Sequence, residues 1–227
     1  DLHSFPTRRS SDLEILYITD EIDAGGIVID RDNFTINGNG HILNANNEER
    51  IFNIIANNVT LINITFKNGF ADEGGAVYTE NDLTIIGCDF ENNNANDGGA
   101  VRAYNINETD SIFKYNFAQN GGAVIANNIN IKHTLFEKNE AENGGAIHTE
   151  GTVIVDTSQF ISNSADRYGG AICSEENITA VTCIFKSNIG QEGGAVFGGN
   201  NALIKNSTVA ENEGTRGSGG LQVTNHV

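Results

Sequence analysis

A Gly-Gly pair returns seven times in this chain at nearly constant spacing. The first glycines are Gly74, Gly98, Gly121, Gly144, Gly169, Gly193 and Gly219, at intervals of 24, 23, 23, 25, 24 and 26 residues. Six of the seven continue as Gly-Gly-Ala-(Val/Ile). Phe66, Phe90, Phe113, Phe136, Phe160 and Phe185 keep step with the glycines, and Val209 takes the seventh place. Three positions after the last five phenylalanines come Asn93, Asn116, Asn139, Asn163 and Asn188, with Asn212 after Val209. A fixed period of this length specifies a solenoid, in which each repeat buries its apolar side only by stacking on its neighbours.

The residues inside one repeat say what kind of solenoid. Leu83 and Ile85 alternate with polar neighbours, and Cys88 and Phe90 follow after a one-residue phase slip. Another short run begins after each Gly-Gly-Ala, at Val77, Val101, Val124, Ile147, Ile172 and Val196. Short period-2 runs of β-branched and aromatic residues read as strands, about three to a turn. Equivalent strands stacked turn on turn run parallel, and parallel crossovers are right-handed. The expected fold is therefore all-β: a single-domain right-handed parallel β-helix with about 24 residues per coil. The Phe column is expected to fill the interior, stacking at about 4.8 Å per turn. The Asn column is expected at a turn, in left-handed conformation and bonded to the next coil. The position two before each ladder residue is small (Cys88, Ser111, Thr134, Ser158, Cys183, Ser207), as a narrowing interior requires. A glycine-rich phosphate loop would need a helix behind the glycines, and here a strand follows.

Three segments are distinguished. Residues 59–227 carry the regular repeats, and the sequence stops inside a repeat, so truncation at the C-terminus is expected. Residues 14–58 are more divergent, with half of the motif at Gly25-Gly26 and Asn-Gly turns around Gly38 and Gly40. Residues 1–13 include SFPTRRSSDL, which resembles the in-frame translation of a common sequencing adapter, and are set aside as non-native.

Thirty acidic residues against thirteen basic ones, a formal net charge of −17, argue against nucleic acid as a partner. No run of 18 apolar residues occurs, so no membrane-inserted helix is expected. Cys88 and Cys183 occupy the same ladder place four turns apart, about 19 Å, beyond the reach of a disulfide. Cys173 is expected to point outward, and all three cysteines to be free thiols.

Candidate chemistry is sparse. Acids gather before Gly-Gly (Asp72, Glu73, Asp97, Glu142, Glu192), where weak Ca²⁺ binding is conceivable. That pattern breaks at Gln119-Asn120 and at Tyr168, so solvated turns are the simpler reading, and no cofactor is assigned. Asp30-Arg31-Asp32 is a weaker acidic cluster. The position four after each first glycine holds Tyr78, Arg102, Ile125, His148, Cys173 and Phe197, a possible surface-binding column. His41, His133 and His148 lack metal-ligand spacing and read as surface positions. Sequons at Asn33, Asn58, Asn63, Asn107, Asn177 and Asn206 are compatible with glycosylation.

The repeat Phe-x-x-Asn-x-Ala-x-x-Gly-Gly-Ala-Ile, as in FEKNEAENGGAI (136–147), resembles the chlamydial-type polymorphic outer-membrane proteins and, more closely, adhesin-like surface proteins of methanogenic archaea. That resemblance implies a pectate-lyase-like β-helix, secreted and displayed at the cell surface as part of a longer chain. It also implies a non-catalytic role in contact with polysaccharide, host glycans or neighbouring cells. A passive surface spacer is one alternative. A polysaccharide lyase or hydrolase of the same fold is the other, although the chain lacks Asp-Asp, Gly-His-Gly and Arg-x-Lys, and Arg102 and Lys132 are the nearest candidates for a lyase base.

Overall fold

The computed structural model describes residues 14–23 and 25–224. The reading of residues 1–13 as non-native lies outside the described residues. All regular structure among the described residues is β, in four parallel sheets. Sheet A has nine strands, including Leu83–Ile86 and Asn105–Thr109; sheet B has eight, including the Phe-bearing Asp89–Glu91 and Leu135–Glu137. Sheet C has nine and contains the strands that follow Gly-Gly-Ala, such as Ile147–Thr149. A four-stranded sheet D begins at Glu140–Asn143 and covers only the later coils. In every sheet the strands follow chain order, one per turn, so the molecule is a parallel β-solenoid of about nine coils. Residues 14–58 join the same stack: Ile27 pairs with Phe52, and Phe52 with Val77.

Phe66, Phe90, Phe113, Phe136, Phe160 and Phe185 are register partners and fully buried. Their rings stack at 4.6–4.9 Å with interplanar angles of 2–10°. Ring quadrupoles disfavour face-to-face stacking. Here the strand spacing, about 4.8 Å, imposes it, and removal of six rings from water offsets the cost. Phe52 closes the lower end edge-on, at 5.4 Å and 81°.

The Phe strand is bounded by two left-handed corners. Three residues before each ladder position, Asn63, Gly87, Asp110, His133, Thr157, Thr182 and Asn206 have φ of +49° to +61°. Two residues after it, Asn68, Asn92, Tyr115, Lys138, Ser162, Ser187 and Glu211 have φ of +53° to +58°. Such φ at a non-glycine residue costs about 1–2 kcal/mol; the stacked coils on both sides hold it. The first of these corners is the phase slip visible in the sequence. The second corrects an expectation: the left-handed residue precedes the ladder Asn, which is itself turned inward.

Once inside, the asparagines satisfy one another. The Asn116 Nδ2 donates to Phe90 O (3.1 Å) and Asn139 Oδ1 (2.9 Å), while its Oδ1 accepts from the backbone N–H and Nδ2 of Asn93, both at 3.0 Å. Asn139, Asn163 and Asn188 repeat the arrangement, while Asn93, at the lower end, accepts the Gly69 N–H (2.9 Å) on its Oδ1; all four are fully buried.

The two glycines of each pair have different reasons. The first bends the chain at φ between +53° and +63° from Gly74 to Gly193. The second has no room for a side chain: a Cβ on Gly122 would strike the carbonyl oxygen of Gly145 in the next coil, and one on Gly145 that of Gly170. The seventh pair departs from expectation. Val196 pairs with Leu221, and Gly194 N–H donates to Ser218 O at 2.8 Å, so Ser218 takes the first-glycine place and Gly219 the second. The final interval is thus one residue shorter than the sequence repeat indicated.

Outward positions of sheet B carry a column of alternating sign: Lys67, Glu91, Lys114 and Glu137 are successive register partners. Lys67–Glu91 (2.8 Å) and Lys114–Glu137 (3.1 Å) are ion pairs.

Candidate functional site

Tyr78, Arg102, Ile125, His148, Cys173 and Phe197 form one column on sheet C, each the register partner of the next. The residues that immediately precede Gly-Gly form a second column: Glu73, Asp97, Asn120, Asn143, Tyr168 and Glu192. The left-handed glycine folds the second column against the first, offset by one coil. Arg102 Nε meets Glu73 Oε1 at 2.9 Å. The Phe197 and Tyr168 rings lie 4.7 Å apart. Gln222 Nε2 donates to Glu192 Oε2 at 2.8 Å. At the lower end the Arg50 guanidinium sits 4.8 Å from the Tyr78 ring centre and donates to Glu73 O at 2.8 Å. The result is one surface strip of two interlocked columns, running along the solenoid axis.

This arrangement corrects two readings. Cys173 does not point into solvent; it is 5% exposed, and burial pushes its thiol up to about 12. His148 is not a bland surface residue. Burial drives it down to about 4, against a weaker opposing pull from Asp97, and its Nδ1 is buried without a partner. In the second column Asn143 Nδ2 donates to Asn120 Oδ1 (3.0 Å) and Asn120 Nδ2 to Asp97 Oδ1 (2.9 Å). Tyr168, next above, has no amide to continue this ladder, and Asn143 Oδ1 is left buried and unpartnered.

Asn143, His148 and Cys173 thus line one cleft, together with Tyr168, Glu192 and Phe197. Cysteine, histidine and asparagine are residue types of thiol catalysis, which needs a lowered thiol pKa and a basic imidazole. Here both shifts run the other way, and no hydrogen bond joins the three.

The remaining candidates are separated by the fold. Arg102 lies on sheet C in its ion pair with Glu73, whereas Lys132 lies on sheet A, 3.8 Å from Asp156. Glu142 is engaged by Arg167 at 3.0 Å. Asp32 accepts from the Asn57 backbone N–H at 2.6 Å and so belongs to a turn. Among the described residues no group of three or more His, Cys, Asp or Glu side chains could hold a metal ion. All six sequon asparagines are exposed.

One titratable residue escaped the sequence reading. Glu108 is 4% exposed, facing inward between Ile85 and Ile131. The period-2 phase of Asn105–Thr109 carries the signal, since Ile106 and Glu108 occupy the inward places of Leu83 and Ile85.

Two segments, residues 133–150 and 157–175, match the model of the Chlamydia polymorphic membrane protein repeat. No curated protein and no solved structure matches the chain. The matched segments hold the Phe136 and Phe160 rungs, their Asn139 and Asn163 partners, and the Gly-Gly corners at Gly144 and Gly169. This chain is a parallel β-solenoid, two segments of which match the polymorphic membrane protein repeat.

Proposed function

We propose that the chain is a non-catalytic β-helical segment of a surface-displayed, adhesin-like protein, and that it contacts polysaccharide or cell-surface glycan along the surface strip formed by the two columns. The observation that carries this reading is the contrast between inner and outer columns. Inward places on sheet C are uniform: Val77, Val101, Val124, Ile147, Ile172 and Val196. The outward places beside them change at every coil. A constant frame with a varied face separates fold from recognition. The face offers rings for stacking at Tyr78 and Phe197 and polar groups between them. Many weak contacts along the axis would add by avidity rather than by a single deep pocket. The polymorphic-membrane-protein type of repeat supports display at a surface.

The test incubates the purified chain with pectin, polygalacturonate and related polysaccharides, with and without Ca²⁺. Binding is expected without release of unsaturated or reducing ends. Phe197→Ala and Arg102→Ala should each weaken binding about fivefold, the worth of a contact near 1 kcal/mol. Release of ends above a heat-killed control would replace this reading with the enzyme. A folded chain that binds no polysaccharide and no cell surface would leave the spacer.

A further inference from the structure

The small-residue column beside the Phe strand follows one rule of hydrogen bonding. Each hydroxyl or thiol donates to the carbonyl two residues back: Ser111 to Thr109 O (3.2 Å), Ser158 to Asp156 O (2.8 Å), Ser207 to Lys205 O (2.8 Å) and Cys183 to Val181 O (3.2 Å). Thr134 obeys it, with Oγ1 3.0 Å from Lys132 O. But Thr134 Oγ1 also lies 2.6 Å from Glu108 Oε2. A hydroxyl has one proton to give. If Thr134 gives it to Lys132 O, as the column does throughout, the 2.6 Å contact is a hydrogen bond only when Glu108 supplies the proton. The other carboxyl oxygen, Oε1, is buried without a partner. An ionised carboxylate with an unmet oxygen between Ile85 and Ile131 would bear a large desolvation cost, whereas a neutral acid bears much less.

We propose that Glu108 is a proton-binding site in the solenoid core: as a neutral acid it donates to Thr134 and locks the Asn105–Thr109 strand into the stack, and loss of the proton loosens that coil. The surroundings are one-sided. From the coil below, the titratable group is the Cys88 thiol, itself pushed up to about 12 by burial; from its own coil, Asp110 adds a like charge. The coil above brings Ile131 and Thr134, which are not acidic or basic, and on its outer side His133, whose Nδ1 lies 3.3 Å from Asp110 Oδ1. Burial raises Glu108 from 4.5 to about 7; in the ionised state the hydroxyls of Thr134 and Ser111 and the Ser111 N–H can face the carboxylate, but they offset burial only in part. A folded-state pKa above the unfolded one contributes stability that is complete below the unfolded value. That stability is lost as pH rises through the folded value, here between 4.5 and about 7. Across that window this group shifts the unfolding equilibrium on the order of 10²-fold.

The experiment is urea unfolding of the full chain at pH 5 and pH 8, for wild type, Glu108→Gln and Asp110→Asn. Wild type should be less stable at pH 8. Asp110→Asn removes an exposed charge together with its contact to His133 and should keep most of that difference. Glu108→Gln places a neutral amide donor against Thr134 and should reduce the difference by on the order of 10²-fold in the unfolding equilibrium. Carbon-13 NMR titration of the wild-type Glu108 carboxyl gives a second reading, which stands if the variant does not fold. A midpoint near 7 is expected. A midpoint near the ordinary 4.5, or a Glu108→Gln protein with the wild-type pH difference, overturns the proposal.

Discussion

Two of the amide ladders in the molecule are built in opposite ways. The inner one runs without a break from Asn93 to Asn212, and each amide between those ends both gives and takes within the row. The corner one has a carboxylate at Asp97, amides at Asn120 and Asn143, and then stops at Tyr168. Its last oxygen is orphaned. A ladder of identical amides satisfies itself at any length, because each rung offers two donors and an acceptor to the same geometry. A ladder of mixed residues stops where its pattern breaks, and at Asn143 that end carries unmet polarity. Uniform columns thus hold the solenoid together, while mixed columns give each coil a separate surface.

Breaking the inner ladder should have the largest effect. Asn139→Leu would strand the Asn116 N–H, an Asn116 Nδ2 donor, Phe113 O and part of Asn163 Oδ1. Each buried orphan costs about 1–3 kcal/mol, so loss of cooperative folding is expected by urea titration. A midpoint close to wild type would mean that the amides act singly. Phe136→Ala comes next. It removes one ring from a stack with neighbours at 4.8 and 4.9 Å, and should cost about 3–5 kcal/mol by burial and cavity together. An unchanged melt would deny the stack its role. The smallest effect belongs to the corner. Asn143→Leu loses one bond to Asn120 but also deletes an orphaned oxygen, so a change within about 1 kcal/mol is expected. A loss as large as that of Asn139→Leu would erase the distinction between the ladders.

The inner ladder was legible from sequence because its residues repeat in fixed phase: Phe, three on to Asn, then Gly-Gly. The corner could not be read in the same way. Its two columns meet with an offset of one coil, so Arg102 finds Glu73 and Phe197 finds Tyr168 across about 29 residues of chain rather than within a repeat. That offset buries Cys173 and half-buries His148, which strand alternation alone assigns to the outside. The left-handed corner also misled, since phase identifies the Asn but not that the bend is borne by the residue before it, as unlike as Tyr115, Lys138 and Ser162. At the seventh corner the visible Gly-Gly was one residue out of register, because Ser218 fills the first-glycine place. Glu108 was readable by the same alternation that identified its neighbours; a charged residue in an inward phase is the mark of a site rather than of a misread strand.

Near-identical coils face a hazard in assembly: the chain could omit one and still bring a Phe onto a Phe and an Asn onto an Asn. The alternating column Lys67, Glu91, Lys114, Glu137 penalises that error. Leaving out the Glu91 coil would stack Lys67 on Lys114, and leaving out the Lys114 coil would stack Glu91 on Glu137. Each replaces an attraction with a repulsion on the order of 1 kcal/mol at the solvent face. The exposed charges contribute little to stability once the stack is formed; their larger effect is to let a growing stack tell its next coil from the one after.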